Sequence, residues 1–207
     1  MADIDQERAW AVRAQLGDEQ AFASLVDAYK GPVYNLAYRM LGGAGAAEDA
    51  TQETFLRAYK RIKTYDSSRK FSSWILSIAS HHCIDRLRRK RGQELSMDEM
   101  EGARWIPDEK PRPEERTLLA EQRATVRELM TALPSQYRLV ISLRYWHDMS
   151  YEEIAQVTES TQSAVKSRLH RARQMMAQLI AERDQAEKIG VQHNEPREAQ
   201  NAVSHCF

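Results

Sequence analysis

Apolar positions recur along this chain at intervals of three and four residues, and strand-like alternation is almost absent. An all-helical chain follows. The pattern predicts a first helix over 5–16, ending at Gly17, and a second over 19–41. In the second, Leu25, Val26, Tyr29, Val33, Leu36, Ala37 and Met40 trace one inner stripe, and Gly31 and Pro32 are placed to kink or divide it. A third helix is expected over 46–63 with Phe55, Tyr59 and Ile62 inward. A fourth is expected over 71–91, with Phe71, Trp74, Ile75, Ile78 and Ala79 on its core face. The polar stretch 64–70 separates the two. Periodicity resumes at Thr117, stops at Leu133-Pro134 because the residue before proline avoids the helical region, and restarts through Tyr145.

Residues 150 to 176 then spell two short helices around a polar turn. Ser150 is placed to cap the first, with Glu153 reaching back in a Ser-x-x-Glu capping box. Ile154, Ala155 and Val157 form its inner face, and Thr158, Glu159 and Ser160 make the turn. The next helix starts near Thr161 and buries Val165, Leu169, Ala172 and Met176. Gln162, Ser163, Lys166, Ser167, His170 and Arg171 are left facing outward, and Arg168 and Arg173 add to the charge. No acid occurs from Ser160 to Met176. A solvated charged face would account for charge alone; the capped preceding helix makes this a helix-turn-helix, suited to the major groove of duplex DNA.

Length and charge refine that picture. The 207 residues suit two small domains better than one. Thirty basic residues balance thirty acidic ones, so affinity for nucleic acid must come from segregation. Between Arg57 and Arg91 eleven bases face two acids. Between Gly92 and Glu115 eight acids face three bases. The first segment can meet phosphates and the second repels them. With Pro107, Pro111 and Pro113 and no sustained period, 92–116 is expected to be a flexible acidic linker. It divides a domain over 1–91 from another over 117–183, and the polar stretch 184–207 is expected to be a disordered tail. Cys83 and Cys206 lack the spacing of a disulfide framework or zinc module. His81, His82, Cys83 and Asp85 make a poor ligand set, since adjacent helical side chains point about 100° apart. No metal or other cofactor is expected. Neither a signal peptide nor a bilayer-spanning run is found, so the expected protein is cytoplasmic, with no membrane insertion.

The basic run Asp85-Arg86-Leu87-Arg88-Arg89-Lys90-Arg91 follows the aromatics Phe71 and Trp74 and lies near Tyr65 in sequence. Cations beside aromatics suit a binder of single or melted strands, and helical periodicity explains Trp74 equally well as a core residue. Four stretches in order narrow the choice. These are Ala47-Glu48-Asp49-Ala50-Thr51-Gln52-Glu53-Thr54-Phe55-Leu56-Arg57-Ala58-Tyr59, Phe71-Ser72-Ser73-Trp74-Ile75-Leu76-Ser77-Ile78-Ala79, Asp85-Arg86-Leu87-Arg88-Arg89, and Leu133-Pro134-Ser135-Gln136-Tyr137-Arg138 ahead of the helix-turn-helix. Together, over roughly Ala21 to Met176, they resemble the extracytoplasmic-function class of bacterial RNA polymerase sigma factors, in the sigma-70 family.

The resemblance implies roles. Asp49, Gln52 and Glu53 would dock on the beta-prime clamp of core RNA polymerase, with Phe55 and Leu56 holding their helix; the beta flap would be a second polymerase contact. Tyr65, Ser67, Ser68, Arg69, Trp74 and His81 would line or border a site for an extruded base of the promoter minus-ten element. Arg86, Arg88 and Arg89 would hold adjacent phosphates. Gln162, Ser163, Lys166, Ser167, Arg168, His170, Arg171 and Arg173 would read the minus-thirty-five element. Where many relatives place an asparagine, this chain has His81 followed by His82, which bears on the preferred minus-ten base. An anti-sigma factor is an expected partner, and nucleoid association is expected within the holoenzyme. Roughly 24 linker residues, extended, reach at most on the order of 80 Å, more than two turns of duplex at roughly 34 Å each. Trp105 and Ile106 would anchor the linker in the polymerase's RNA channel or on the protein's own domains. No enzymatic activity is expected. The competing reading is a one-component helix-turn-helix regulator that binds a duplex operator without polymerase. A helical adaptor would need no basic recognition face.

Overall fold

The computed structural model describes residues 4–97 and 118–192. Every regular element among them is helical: α1 (Ile4–Gln15), α2 (Glu19–Leu41), α3 (Ala44–Arg61), a 3-10 turn (Ile62–Thr64), α4 (Phe71–Met97), α5 (Leu118–Ala132), α6 (Ser135–Trp146), α7 (Tyr151–Val157) and α8 (Gln162–Gln192). The boundaries follow local chemistry. Asp18 caps α2 by accepting the Ala21 N–H at 3.0 Å. Gly42 ends it in the left-handed region at φ 84°, its N–H donating to the Tyr38 carbonyl. Helix α2 is not divided at Pro32: Tyr29 and Val33, buried on either side of it, carry the helix through the core.

Helix α2 is the axis of the N-terminal unit and packs against α1, α3 and α4. Leu25, Val33, Leu36 and Met40 meet Phe71 and Ile75 in a fully buried core. Fully burying one such side chain contributes about 1.5–3 kcal/mol relative to leaving it exposed. Helix α3 differs from the expected pattern. Its buried residues are Ala47, Ala50, Thr54 and Ala58, spaced three, four and four, while Tyr59 is 49% exposed with its ring edge on Phe22. Small residues turn inward there, and the large ring lies over the rim. Leu56 is also exposed and does not hold its helix to the core.

In the C-terminal unit α6 is buried almost all round, from Arg138 through Leu143. It lies between α7 and α8 on one side and α2 of the other unit on another. The two units therefore pack directly on each other. Arg138 makes that seam: its guanidinium donates to the Met40 carbonyl at 2.6 Å, Thr131 at 2.6 Å and Leu133 at 3.0 Å. Those carbonyls close α2 and α5, where helices leave acceptors without partners and carry partial negative charge. One buried cation thus satisfies helix ends from both units.

Two boundaries correct the sequence reading. Helix α4 runs past Arg91 to Met97, since Gly92 lies among good helix formers and costs only about 1 kcal/mol relative to alanine. Helix α8 continues past Arg183 to Gln192 through a segment expected to be a disordered tail. Its strong helix formers need no apolar stripe to continue, and Arg183 ties it to α5 through Thr125 at 2.8 Å and Glu128 at 3.8 Å. The remainder of the linker, with Trp105 and Ile106, and the end of the tail lie outside the described residues.

Replacing Arg138 with Met keeps most of the side-chain volume and leaves three carbonyls without their donor. The expected loss is about 2–4 kcal/mol, from about 1–3 kcal/mol per unsatisfied buried group offset by relaxation and water entry. The two units should also separate. Thermal denaturation and small-angle scattering check this; an unchanged melting temperature together with an unchanged radius of gyration would remove Arg138 from the seam.

Candidate nucleic-acid and polymerase interfaces

Three surfaces carry the chemistry foreseen in the sequence. The first is the outer face of α3, where Asp49 and Gln52 are exposed and Glu53 is half-buried. Glu53 pairs with Arg57 at 2.6 Å, and the Arg57 hydrogen bond holds its carboxyl below the usual glutamate range. Asp49 Oδ2 stands 3.3 Å from Arg86 on α4. A residue expected to meet polymerase and one expected to meet phosphate are thus partners in this structure.

The second surface is the loop 65–70 with α4. Tyr65 is buried rather than lining an open site: its ring packs against Phe71 and Trp74, with centroids 5.4 and 5.2 Å away, and its hydroxyl donates to the Arg69 carbonyl at 2.5 Å. It acts as the loop's anchor. Asp66 folds the loop tip by accepting the Ser68 N–H at 2.9 Å, and hydrogen bonding from the Ser68 hydroxyl and then from that N–H holds its carboxyl below the usual aspartate range. Ser68 and Arg69 are exposed and Ser67 is half-buried. Trp74 is half-buried between Tyr65 and Phe71, on the core face to which helical periodicity assigns it. Along α4, His81 is exposed and Cys83 is buried, its thiol pushed up to about 12 by burial. His82 is half-buried and pushed below the usual histidine range, first by burial and then by Arg57. Arg88 and Arg89 are exposed further on, and Arg86 is half-buried against Asp49.

Sequence reasoning missed Gln15. From the last turn of α1 its amide donates to the carbonyls of Ile62 at 3.1 Å and Tyr65 at 2.6 Å, fixing the start of the loop. No periodicity marks this residue, because it serves backbone acceptors about fifty positions away in the chain.

The third surface is the helix-turn-helix. Both halves of the foreseen capping box are present: Ser150 N–H donates to Glu153 at 2.7 Å, and Glu153 N–H donates to Ser150 Oγ at 3.2 Å. In the turn Glu159 takes φ 48°, and the following Ser160 N–H donates to the Ala155 carbonyl at 2.9 Å, closing α7. Thr161 caps α8 through the Ala164 N–H. Val165, Leu169 and Ala172 are buried, leaving Gln162, Ser163, Lys166, Ser167, His170, Arg171 and Arg173 exposed, with Arg168 half-buried. This face bears four cations on a helix pinned from behind by α6 and α7, the form in which side chains can be presented to base edges and phosphates.

The Sigma-70 region 2 family matches residues 25–93 and the Sigma-70, region 4 family matches residues 123–176. The chain is 38% identical to the ECF RNA polymerase sigma factor SigW of Bacillus subtilis, over 77% of this chain and 89% of that one. It is 33% identical to the ECF RNA polymerase sigma factor BldN of Streptomyces coelicolor, over 86% and 68% respectively. Among solved structures it is similar to CnrH in complex with the cytosolic domain of CnrY, with TM-score 0.63, 25% identity, and coverage of 85% of this chain and 97% of that one. Its fold is also that of the sigma factor RpoE bound to the anti-sigma factor NepR from Bartonella quintana, with TM-score 0.64, 19% identity, and coverage of 77% and 96%. Two helical domains arranged in this way define a sigma-70-type transcription initiation factor. The chain belongs to the extracytoplasmic-function sigma factors, and it is an alternative sigma factor that directs promoter-specific transcription.

Gln15→Ala should free the start of the loop while leaving the helices intact. Losing two hydrogen bonds of roughly 0.5–1.5 kcal/mol each should raise amide exchange at residues 65–70 by about tenfold. Hydrogen exchange followed by mass spectrometry measures it, and unchanged protection there would show that the Tyr65 cluster suffices.

Proposed function

We propose that this factor binds core RNA polymerase through α3, opens the promoter minus-ten element with the loop 65–70 and α4, and reads the minus-thirty-five element with α8. The observation that carries this reading is the separation of charge on rigid elements: an exposed acidic face on α3, exposed cations along α4, and the outer face of α8 from Gln162 to Arg173, which carries cations and no acid. In this scheme residues 1–91 serve polymerase binding and melting, 117–183 serve duplex reading, and 92–116 join them. Asp49, Gln52 and Glu53 meet the clamp, and the C-terminal unit meets the flap. In this reading the factor acts in the cytoplasm, beside the transcription machinery. No helix among the described residues is long and apolar enough to cross a membrane. An anti-sigma factor is a further expected partner.

Melting needs no covalent chemistry. Unstacking a base costs a few kcal/mol, which contacts made only to the extruded base and its phosphates must offset. Ser68, Arg69 and His81 present donors at the surface for the base. Arg86, Arg88 and Arg89 supply phosphate contacts. Tyr65 and Trp74 act behind them by holding the loop. On α8, Lys166, Ser167, His170 and Arg171 face base edges, where one lost contact costs about 1–3 kcal/mol at a single base position. Arg168 and Arg173 face phosphates. Run-off transcription with purified core polymerase on a promoter library tests the whole scheme and reports the preferred sequences. A duplex operator bound tightly without polymerase would instead support a one-component regulator.

Charge reversal at Asp49 and Glu53 should lower affinity for core polymerase at least tenfold while leaving the circular dichroism spectrum unchanged, because carboxylates on the outer face of a helix contribute little to its fold and mainly to pairing with a basic partner. Undiminished polymerase binding by the folded variant removes α3 from the interface.

Replacing residues 66–69 with glycine and serine should impair strand opening more than closed-complex formation. A template with a pre-melted minus-ten bubble should restore much of the activity, since the unstacking cost of a few kcal/mol is already met. Permanganate reactivity of thymines reads the outcome; normal opening on an intact duplex by this variant would falsify the loop's role.

A further inference from the structure

Where α2 meets α5 and the end of α6, the junction of the two units holds an open groove of about 720 Å3. None of the residues assigned above to polymerase or promoter lines it. Tyr34 and Tyr38, one turn apart on α2, stand nearly parallel, with ring centroids 6.1 Å apart and 20° between their planes. Trp146 adds a third ring from the end of α6 and is 39% exposed. Two guanidinium groups border these rings: Arg39 lies 4.5 Å over Trp146, and Arg127 of α5 lies 5.5 Å over Tyr38. Among the described residues lining the groove there is no acid.

We propose that this groove is a binding site for a nucleoside diphosphate, with the base against Tyr34, Tyr38 and Trp146 and the phosphates between Arg39 and Arg127. Apolar, aromatic walls with a few placed polar groups at a junction between units are the usual form of a small-molecule site, and the volume falls within the roughly 300–1,000 Å3 of such pockets. Two features select the ligand. Every base has a π-face that stacks on aromatic rings, and a guanidinium presents a planar fork that takes two phosphate oxygens at once. Arg39 donates one hydrogen bond to the Asn35 carbonyl at 3.0 Å, but a guanidinium carries five N–H donors, so an arginine stacked by its face still binds phosphate by its edge. The exposed Asn35 amide offers both a donor and an acceptor to a base edge. Inorganic phosphate would leave the three rings unused, and a neutral aromatic would leave the two cations unmatched. A nucleotide supplies both halves. Because Arg39 and Arg127 belong to different units, a nucleotide held between them opposes separation of the units by its own free energy of binding.

The test is titration of the full-length factor into N-methylanthraniloyl-labelled ADP and, separately, the labelled GDP, followed by anisotropy at fixed salt. At least one probe should bind saturably, and the unlabelled diphosphate should displace it far better than its nucleoside or inorganic pyrophosphate does. Arg127→Gln should weaken binding about ten- to a hundredfold, the range for losing charged hydrogen bonds. Tyr34→Leu should weaken it as well through lost stacking, whereas Arg61→Gln, at an exposed arginine of α3 outside the groove, should bind as the parent does. Arg127 is exposed and Tyr34 half-buried, so both variants leave the core intact. Absence of saturable binding with both probes, or equal affinity of Arg127→Gln and Arg61→Gln, would overturn the proposal. Pyrophosphate as effective as the diphosphate would reduce the groove to a site for charge alone and overturn it too. Stronger displacement by a single-stranded DNA of about 12 nucleotides, within the span that stacking grooves bind, would reassign the groove to a nucleic-acid strand and reject the mononucleotide.

Discussion

Arg138 is the point on which the arrangement depends. A guanidinium that is nearly fully buried, with no carboxylate among the described residues paired to it, is costly to desolvate, and burial accordingly lowers its proton affinity. The compensation comes from three main-chain carbonyls at two helix ends, each at the negative pole of its helix. Moving the units apart would strip Arg138 of the Met40 carbonyl and expose the apolar sides of α2 and α6 together. The seam is therefore one cooperative contact. The cation–π contact of Arg39 with Trp146, 4.5 Å from the ring centroid, lies along the same junction. Beside it His147 is held neutral, its pKa lowered to about 4 by burial and by Arg39, so the junction avoids a second buried cation.

What was legible in the sequence is what is encoded locally. The limits of α2, the capping box of Ser150 and Glu153, and the buried stripe of Val165, Leu169 and Ala172 all follow from spacing and from side chains that bond within four residues. The four stretches carrying the family resemblance were equally plain, and both family matches fall on them. Tyr59 lies outward although its size and spacing suggest the core, because the packing of α3 on α2 admits alanine better than a ring. Tyr65 was placed at the site, yet its part there is played from beneath, because three aromatics pack more favourably together than one does in water.

Long-range contacts left no trace in local pattern. Nothing around Gln15 indicates that its amide serves the carbonyls of Ile62 and Tyr65, and nothing around Arg138 indicates a carbonyl 98 residues upstream. Two domains and a long linker suggested independent bodies, since linker composition speaks of reach and is silent about docking. The extent of α4 and α8 was underestimated for a related reason. Amphipathic periodicity reports packing, and a helix of good formers tethered at one side continues where packing ends.

The pairing of Asp49 with Arg86 has a thermodynamic consequence for the N-terminal unit. A basic group that takes the carboxylate leaves the guanidinium free for another anion, and an anion that takes the guanidinium frees the carboxylate by the same free energy, since linkage between two binding events is reciprocal. An ion pair this exposed bounds the effect at about 1 kcal/mol, or roughly fivefold in affinity. The outer faces of α3 and α4 are consequently not independent variables. A substitution at either residue changes the apparent strength of both faces, and single-site measurements on one will contain a share of the other.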